Sequence, residues 1–139
     1  MSKLDVSLLA GVPIFADLSV KELREIAALA KLAHYGAGDV VVEQDSPGAR
    51  FFVIQAGAAK VVRNGRTRTT LGPGNYFGEL AVLDGGPRTA SVVATGPLEV
   101  WSVAAFNFRA LVSAHPKIAA KMLGHLAARL REAERSDVT

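Results

Sequence analysis

Few side chains in this chain combine a reactive type with a useful spacing, and most of them fall in one run, Tyr76-Phe77-Gly78-Glu79-Leu80-Ala81-Val82-Leu83-Asp84-Gly85-Gly86-Pro87-Arg88-Thr89-Ala90-Ser91-Val92. Gly78 lets a ligand approach the backbone, and Glu79 to Leu83 is good helix-forming sequence about one turn long. The first turn of a helix leaves backbone N–H donors unpaired and partly positive, so an anion there needs only one added cation. Arg88 can supply it: its guanidinium is permanently charged and its planar fork of donors matches two phosphate oxygens. Glu79 beside such a site would repel a bare anion, but it accepts a hydrogen bond if the ligand also carries a hydroxyl, as a ribose 2′-OH does. The pair therefore suits a small, singly charged phosphate ester on a ribose. The bland alternative is an ion pair between Glu79 and Arg88 closing a loop, worth roughly 0–1 kcal/mol if exposed. No Gly-x-x-x-x-Gly-Lys-Ser/Thr run is present, so a magnesium triphosphate site of the P-loop kind is unsupported.

Other chemistries find little footing. The chain has no cysteine, which excludes a disulfide scaffold, a thiolate metal centre and a cysteine nucleophile, and fits a reducing compartment, the cytoplasm. His34, His115 and His125 are scattered without metal-binding spacing. Nothing pairs a nucleophile with a base, so binding without turnover, and not an enzyme, is the expectation. Met1 to Val6 includes an early acid and no long apolar run, so neither a signal peptide nor a membrane span is expected. A net charge of +3 over 139 residues favours acidic partners without naming one. Arg63, Arg66 and Arg68 surround Asn64-Gly65, a favoured two-residue hairpin turn, and read as a solvated basic turn.

The elements that must position Glu79 and Arg88 follow from the flanking patterns. Ser19 and Glu22 have capping-box spacing, with Leu18 and Leu23 placed as a hydrophobic staple, and Leu23, Ile26, Ala27, Leu29, Ala30 and Ala33 recur at helical spacing, predicting a helix over 20–33. From about 36 to 103 the texture is β-rich: Val40 to Val42, Phe51 to Ile54, Ala59 to Val62, Thr67 to Leu71, Ser91 to Ala94 and Leu98 to Val103, punctuated by glycine and proline turns, with Asp84 read as a turn former. About eight short strands imply a barrel or sandwich. Trp101 reads as core rather than as a stacking platform. Residues from about 104 to 135 form two helices broken at His115-Pro116, with Pro116 opening the second. On that helix Leu123, Leu126, Leu130 and Ala133 make a seam that packs either on its own barrel or on another helix.

The run Phe77-Gly78-Glu79-Leu80-Ala81, then Pro87-Arg88-Thr89-Ala90-Ser91-Val92, resembles the phosphate-binding cassette of the cyclic nucleotide-binding domain family, of catabolite activator protein and kinase regulatory subunit type. The resemblance extends over nearly the whole chain, through Asp17-Leu18-Ser19, Gly38-Asp39, Phe52-Val53-Ile54-Gln55-Ala56-Gly57 and the closing helices. It implies a single domain over 1–139, mainly β with flanking helices: a jelly-roll-like β-roll with an N-terminal helix, a short helix inside a cassette spanning 77–92, and two C-terminal helices. It also implies that Glu79 accepts from the ribose 2′-OH, Arg88 holds the exocyclic phosphate oxygens, and backbone amides at Gly78, Leu80, Thr89 and Ala90 complete the site. Val61 and Leu80 then neighbour the sugar side of the base, and the lid falls at Leu130, Ala133 and Glu134. The ligand expected is cyclic AMP, with cyclic GMP the alternative that Thr89 leaves open. No cofactor or metal is implied.

The family's transcription factors end in a helix-turn-helix that this sequence lacks, so no direct DNA binding is expected. The implied role is a regulatory sensor that repositions its C-terminal helix, acting through a protein partner or a covalently linked effector domain, with a homodimer through that helix also open. The competing reading is a nucleotide-insensitive dimerisation module on the same fold.

Overall fold

A computed structural model describes residues 6–48 and 50–137, and for Ile14, Glu79, Leu80, Asp84, Ser136 and Asp137 the backbone alone. Met1 to Asp5, most of the amino-terminal stretch expected to carry no signal, lie outside the described residues. In chain order come α1 (Val6–Ala10), a 3-10 turn (Pro13–Phe15), α2 (Val20–Leu29), β1 (Lys31–Tyr35), β2 (Val40–Val42), β3 (Arg50–Ala56), β4 (Ala59–Arg63), β5 (Arg66–Leu71), β6 (Tyr76–Phe77), α3 (Glu79–Asp84), β7 (Ser91–Ala94), β8 (Leu98–Ala104), α4 (Ala105–Ala114) and α5 (Pro116–Asp137). The strands form two antiparallel sheets ordered β1-β8-β3-β6 and β2-β7-β4-β5. This is the mainly β roll with flanking helices that the sequence implied. No described helix is long and apolar enough to cross a membrane.

Two cores share the same central strands. Alternation along β3 sends Phe52 and Ile54 into the space between the sheets, with Phe77, Val92, Leu98 and Val100. Phe51 and Val53 face the other way, joining Trp101, Val103 and the apolar sides of α2, α4 and α5. Burial on both faces explains why the centre of β3, Phe51 to Ile54, reads as an unbroken apolar run rather than as an alternating one. Phe51 organises the helical side: its ring stacks on Phe108 at 4.4 Å and meets the edge of Phe15 at 6.0 Å. Trp101, 4% exposed, is core as expected, and its indole N–H donates to Gln55.

Local signals with a local cause came out as read. Ser19 Oγ accepts from the Glu22 amide at 3.1 Å while Glu22 Oε1 accepts from the Ser19 amide at 2.9 Å, closing the capping box of α2. Asn64 and Gly65 both take positive φ, 52° and 76°, as a two-residue hairpin turn between β4 and β5 demands.

The expected helix over 20–33 is shorter, because Ala30 turns extended and residues 31–35 leave to become β1. Five consecutive pairings with β8, from Lys31 opposite Ser102 to Tyr35 opposite Leu98, together with the packing of Ala33 and Tyr35 inside the roll, outweigh the helical pattern.

Candidate functional site

The cassette is placed by β6. Its two residues pair with β3, Phe77 opposite Phe52, and those rings stack at 4.8 Å, which carries Gly78 over the backbone of Arg50. Gly78 sits at φ 91°, and a Cβ built there would lie 2.6 Å from Arg88 Nη1 and 2.8 Å from the Arg50 carbonyl oxygen. Only glycine fits this position. It opens α3 without any side-chain cap, and the first helical bond runs from the Val82 amide to the Gly78 carbonyl.

Arg88 is held at both its backbone and its side chain. The loop after β2 grips the backbone: the Arg88 amide donates to the Ser46 carbonyl and the Asp45 amide to the Arg88 carbonyl, each at 2.8 Å. The guanidinium donates from Nη2 to the Arg50 carbonyl at 2.9 Å and from Nη1 to the Gly78 carbonyl at 3.3 Å, and it lies 5.7 Å above the Phe52 ring. At 5% exposure it is a buried cation whose position is set by β3 and the cassette together. Gly48 of the same loop abuts Ala81, where an added Cβ would approach to 2.0 Å, so the loop also braces α3.

A cavity of about 310 Å³ opens beside this arginine, at the small end of the range for small-molecule sites. Of the residues singled out in the sequence, Gly78, Arg88, Thr89, Ala90 and Val61 line it. Glu79 and Leu80 occupy the first turn of α3 next to Gly78, but their side chains lie outside the described residues.

Sequence reasoning missed Arg63, Thr69, Leu71 and Arg129 and gave no role to Tyr76, all on the cavity wall. Arg63 is not merely part of a solvated turn: its Nε donates to the Thr89 carbonyl at 3.1 Å, tying the β4–β5 hairpin to the cassette. The expected lid positions, Leu130, Ala133 and Glu134, do not line the cavity. Leu130 is 60% exposed, Ala133 and Glu134 are exposed, and it is Arg129 that reaches the cavity. The cause is helical phase. Ile118 and Met122 are buried and His125 is half-buried, and Arg129, itself exposed, continues their line in steps of 4, 3 and 4 to the cavity wall, whereas residue 130 is turned away from that line by about 100°. Extending the spacing of the apolar positions Ile118 and Met122 by seven residues would have found Arg129. His125 marks the same line, meeting the edge of Tyr76 at 6.4 Å.

Of the expected seam, Leu123 is 69% exposed and Leu130 and Ala133 are exposed, while Leu126 is half-buried. Elsewhere the histidines are engaged singly. His34 pairs with Glu99 at 3.2 Å, and His115 sits between Glu22 at 2.8 Å and Glu25 at 3.7 Å. The Ser19 amide, followed by the Ser19 hydroxyl and His115, holds the Glu22 carboxyl below the usual carboxylate range.

Known proteins share this sequence pattern and fold. The chain is 33% identical over 126 residues to a cGMP-dependent protein kinase of Plasmodium berghei, covering 90% of this chain and 14% of the kinase. It is 40% identical over 96 residues to a cAMP-dependent protein kinase regulatory subunit of Blastocladiella emersonii, covering 66% of this chain and 24% of the subunit. It thus spans under a third of either relative. Among solved structures, the catabolite activator protein of Thermus thermophilus superposes with a TM-score of 0.82 at 31% identity, over 89% of this chain and 61% of that one. The regulatory domain of Toxoplasma gondii PKA with cAMP gives 0.78 at 25% identity, over 89% and 48%. The profile described as Cyclic nucleotide-binding domain matches residues 32–115, and the chain belongs to that family.

Proposed function

We propose that this domain binds a cyclic nucleotide, cyclic AMP in preference to cyclic GMP, without turning it over, and reports occupancy through α5. The observation that carries the reading is Arg88: a buried guanidinium, pinned by two backbone carbonyls, on the wall of a cavity sized for a small molecule. In this reading Arg88 holds the exocyclic phosphate oxygens, amides at Gly78, Leu80, Thr89 and Ala90 add donors, and Glu79 accepts from the ribose 2′-OH. Val61 and Thr69 border the base. Arg129 gives α5 a direct stake in the cavity, so a ligand that draws it inward binds one placement of the helix better than another, which any shift in helix position requires.

The test is a pair of titrations with cyclic AMP and its 2′-deoxy analogue. A hydrogen bond to a charged acceptor is worth about 1.5–3 kcal/mol, so the natural protein should prefer the 2′-hydroxyl form by about tenfold or more. Glu79→Ala should erase that preference while still binding. Undiminished discrimination in the variant would remove Glu79 from the role.

A second reading has its own observation. The exposed Leu123 and Leu130 leave an apolar stripe on α5, which supports a dimerisation module indifferent to nucleotide. Sedimentation with and without cyclic AMP separates the two, since that module would dimerise equally in both.

A further inference from the structure

The roll has a second opening on the side away from the hairpin. β1 and β2 are each an edge strand of their sheet, and between them lies a cavity of about 680 Å³, larger than the one at the cassette. Its wall changes character along its length. Inward-facing positions on β1, β8 and β3 are apolar toward the middle of the roll, where Ala33, Val100 and Ile54 pack together, but at one end they become Lys31, Ser102 and Arg50.

This polar end is ordered. Ser102 is 5% exposed and accepts from Arg50 Nε at 2.7 Å, while Arg50 Nη2 reaches the Ser102 carbonyl at 3.5 Å. Arg50 Nη1 makes no hydrogen bond to the described residues, and no described carboxylate lies within ion-pair distance of Lys31 or Arg50. Arg88 borders this cavity too, and on its wall Lys31 and the one described acid, Glu43, are both exposed. Tyr35, Val42 and Phe52 supply apolar surface beside the cations.

We propose that this second cavity binds a small amphiphilic anion, its carboxylate or phosphate head against Arg50, Ser102 and Lys31 and its apolar body along Tyr35, Val42 and Phe52. Apolar lining with a few convergent polar groups is the general form of a small-molecule site, and the charges select the sign of the head.

The test is an NMR titration of the 15N-labelled protein with sodium hexanoate, hexyl phosphate and 1-hexanol. No nucleotide enters it, so its outcome is independent of the cassette reading. Saturable shifts at the amides of Lys31, Arg50 and Ser102 are expected with one or both anions, the tighter one identifying the head group, and 1-hexanol should bind at least tenfold more weakly. Arg50→Gln should weaken the anion at least tenfold with the rest of the spectrum unchanged. If that variant does not fold, Lys31→Gln, an exposed position, should weaken it several-fold. Equal binding of the alcohol, shifts that do not saturate, shifts centred on Gly78 and Arg88 to Ala90 instead, or indifference to the folded variant would each overturn the assignment.

Discussion

Replacing Gly78 by alanine separates backbone strain from the specific geometry of the cassette. At φ 91° an L side chain is strained, at a cost of about 1–2 kcal/mol for a left-handed conformation. The new methyl would also fall 2.6 Å from Arg88 Nη1 and 2.8 Å from the Arg50 carbonyl oxygen. The carbonyl belongs to β3, between β8 and β6, and cannot retreat cheaply, so the guanidinium must move and give up its bond to Gly78, a further loss of about 0.5–1.5 kcal/mol. Together these give about 1.5–3.5 kcal/mol, which with an m-value of about 2 kcal/mol/M lowers the urea midpoint by about 1–2 M. Gly74 provides the control: its φ of 86° is nearly the same, and an added Cβ there meets nothing within 4 Å. Gly74→Ala should therefore cost only the strain and leave cyclic nucleotide affinity unchanged, whereas Gly78→Ala should also weaken the ligand at least tenfold. If the two variants matched in urea midpoint and in affinity, the contact between Gly78 and Arg88 would not govern the site.

Two further outcomes bear on α5 and its anchor. Arg129→Ala should weaken cyclic AMP by about tenfold, the loss of one charge-assisted contact, with the urea midpoint unchanged, while Leu130→Ala should leave affinity as it was; the reverse ranking would restore the lid to Leu130. Because folding depresses the Glu22 pKa, Glu22 contributes stability that is fully present above the ordinary carboxylate range, about 4.3, and is lost as pH falls through the lowered value. Urea midpoints measured from pH 7 down to 3 should fall less steeply for Glu22→Gln than for the natural protein, and parallel curves would refute the linkage.

What could be read from the sequence was mostly what short stretches decide for themselves. The capping box at Ser19 and Glu22 and the Asn64-Gly65 turn each need only neighbouring residues, and both formed as expected. The cassette was legible for a related reason: glycine, helix and arginine lie within a dozen positions, and the contact between Gly78 and Arg88 closes over that short loop. β1 was illegible because its partner is β8, so that Lys31 pairs with Ser102, while the alanines before it continue a helical pattern. β6, with two residues, is too short for any periodicity to register. Arg63 and Arg129 were missed because each reaches the cavity from an element distant in sequence, one across a hairpin and one from α5. For Arg129 the only local hint is the spacing from Ile118 and Met122, and a cation in an apolar run, Leu126-Ala127-Ala128-Arg129-Leu130, is read first as a solvated break in that run. The polar end of the roll interior hid in the same way, since Lys31, Arg50 and Ser102 converge only after β1, β3 and β8 have paired.

The central claim is that Arg88 makes this fold a cyclic nucleotide receptor, and the most direct measurement is isothermal titration of the protein and of Arg88→Leu with cyclic AMP and, separately, cyclic GMP. The account predicts saturable one-site binding, tighter for cyclic AMP, weakened by about 2–4 kcal/mol in the variant while its circular dichroism stays native. Unchanged affinity in a folded Arg88→Leu protein, or no heat from either nucleotide with the natural one, would contradict it.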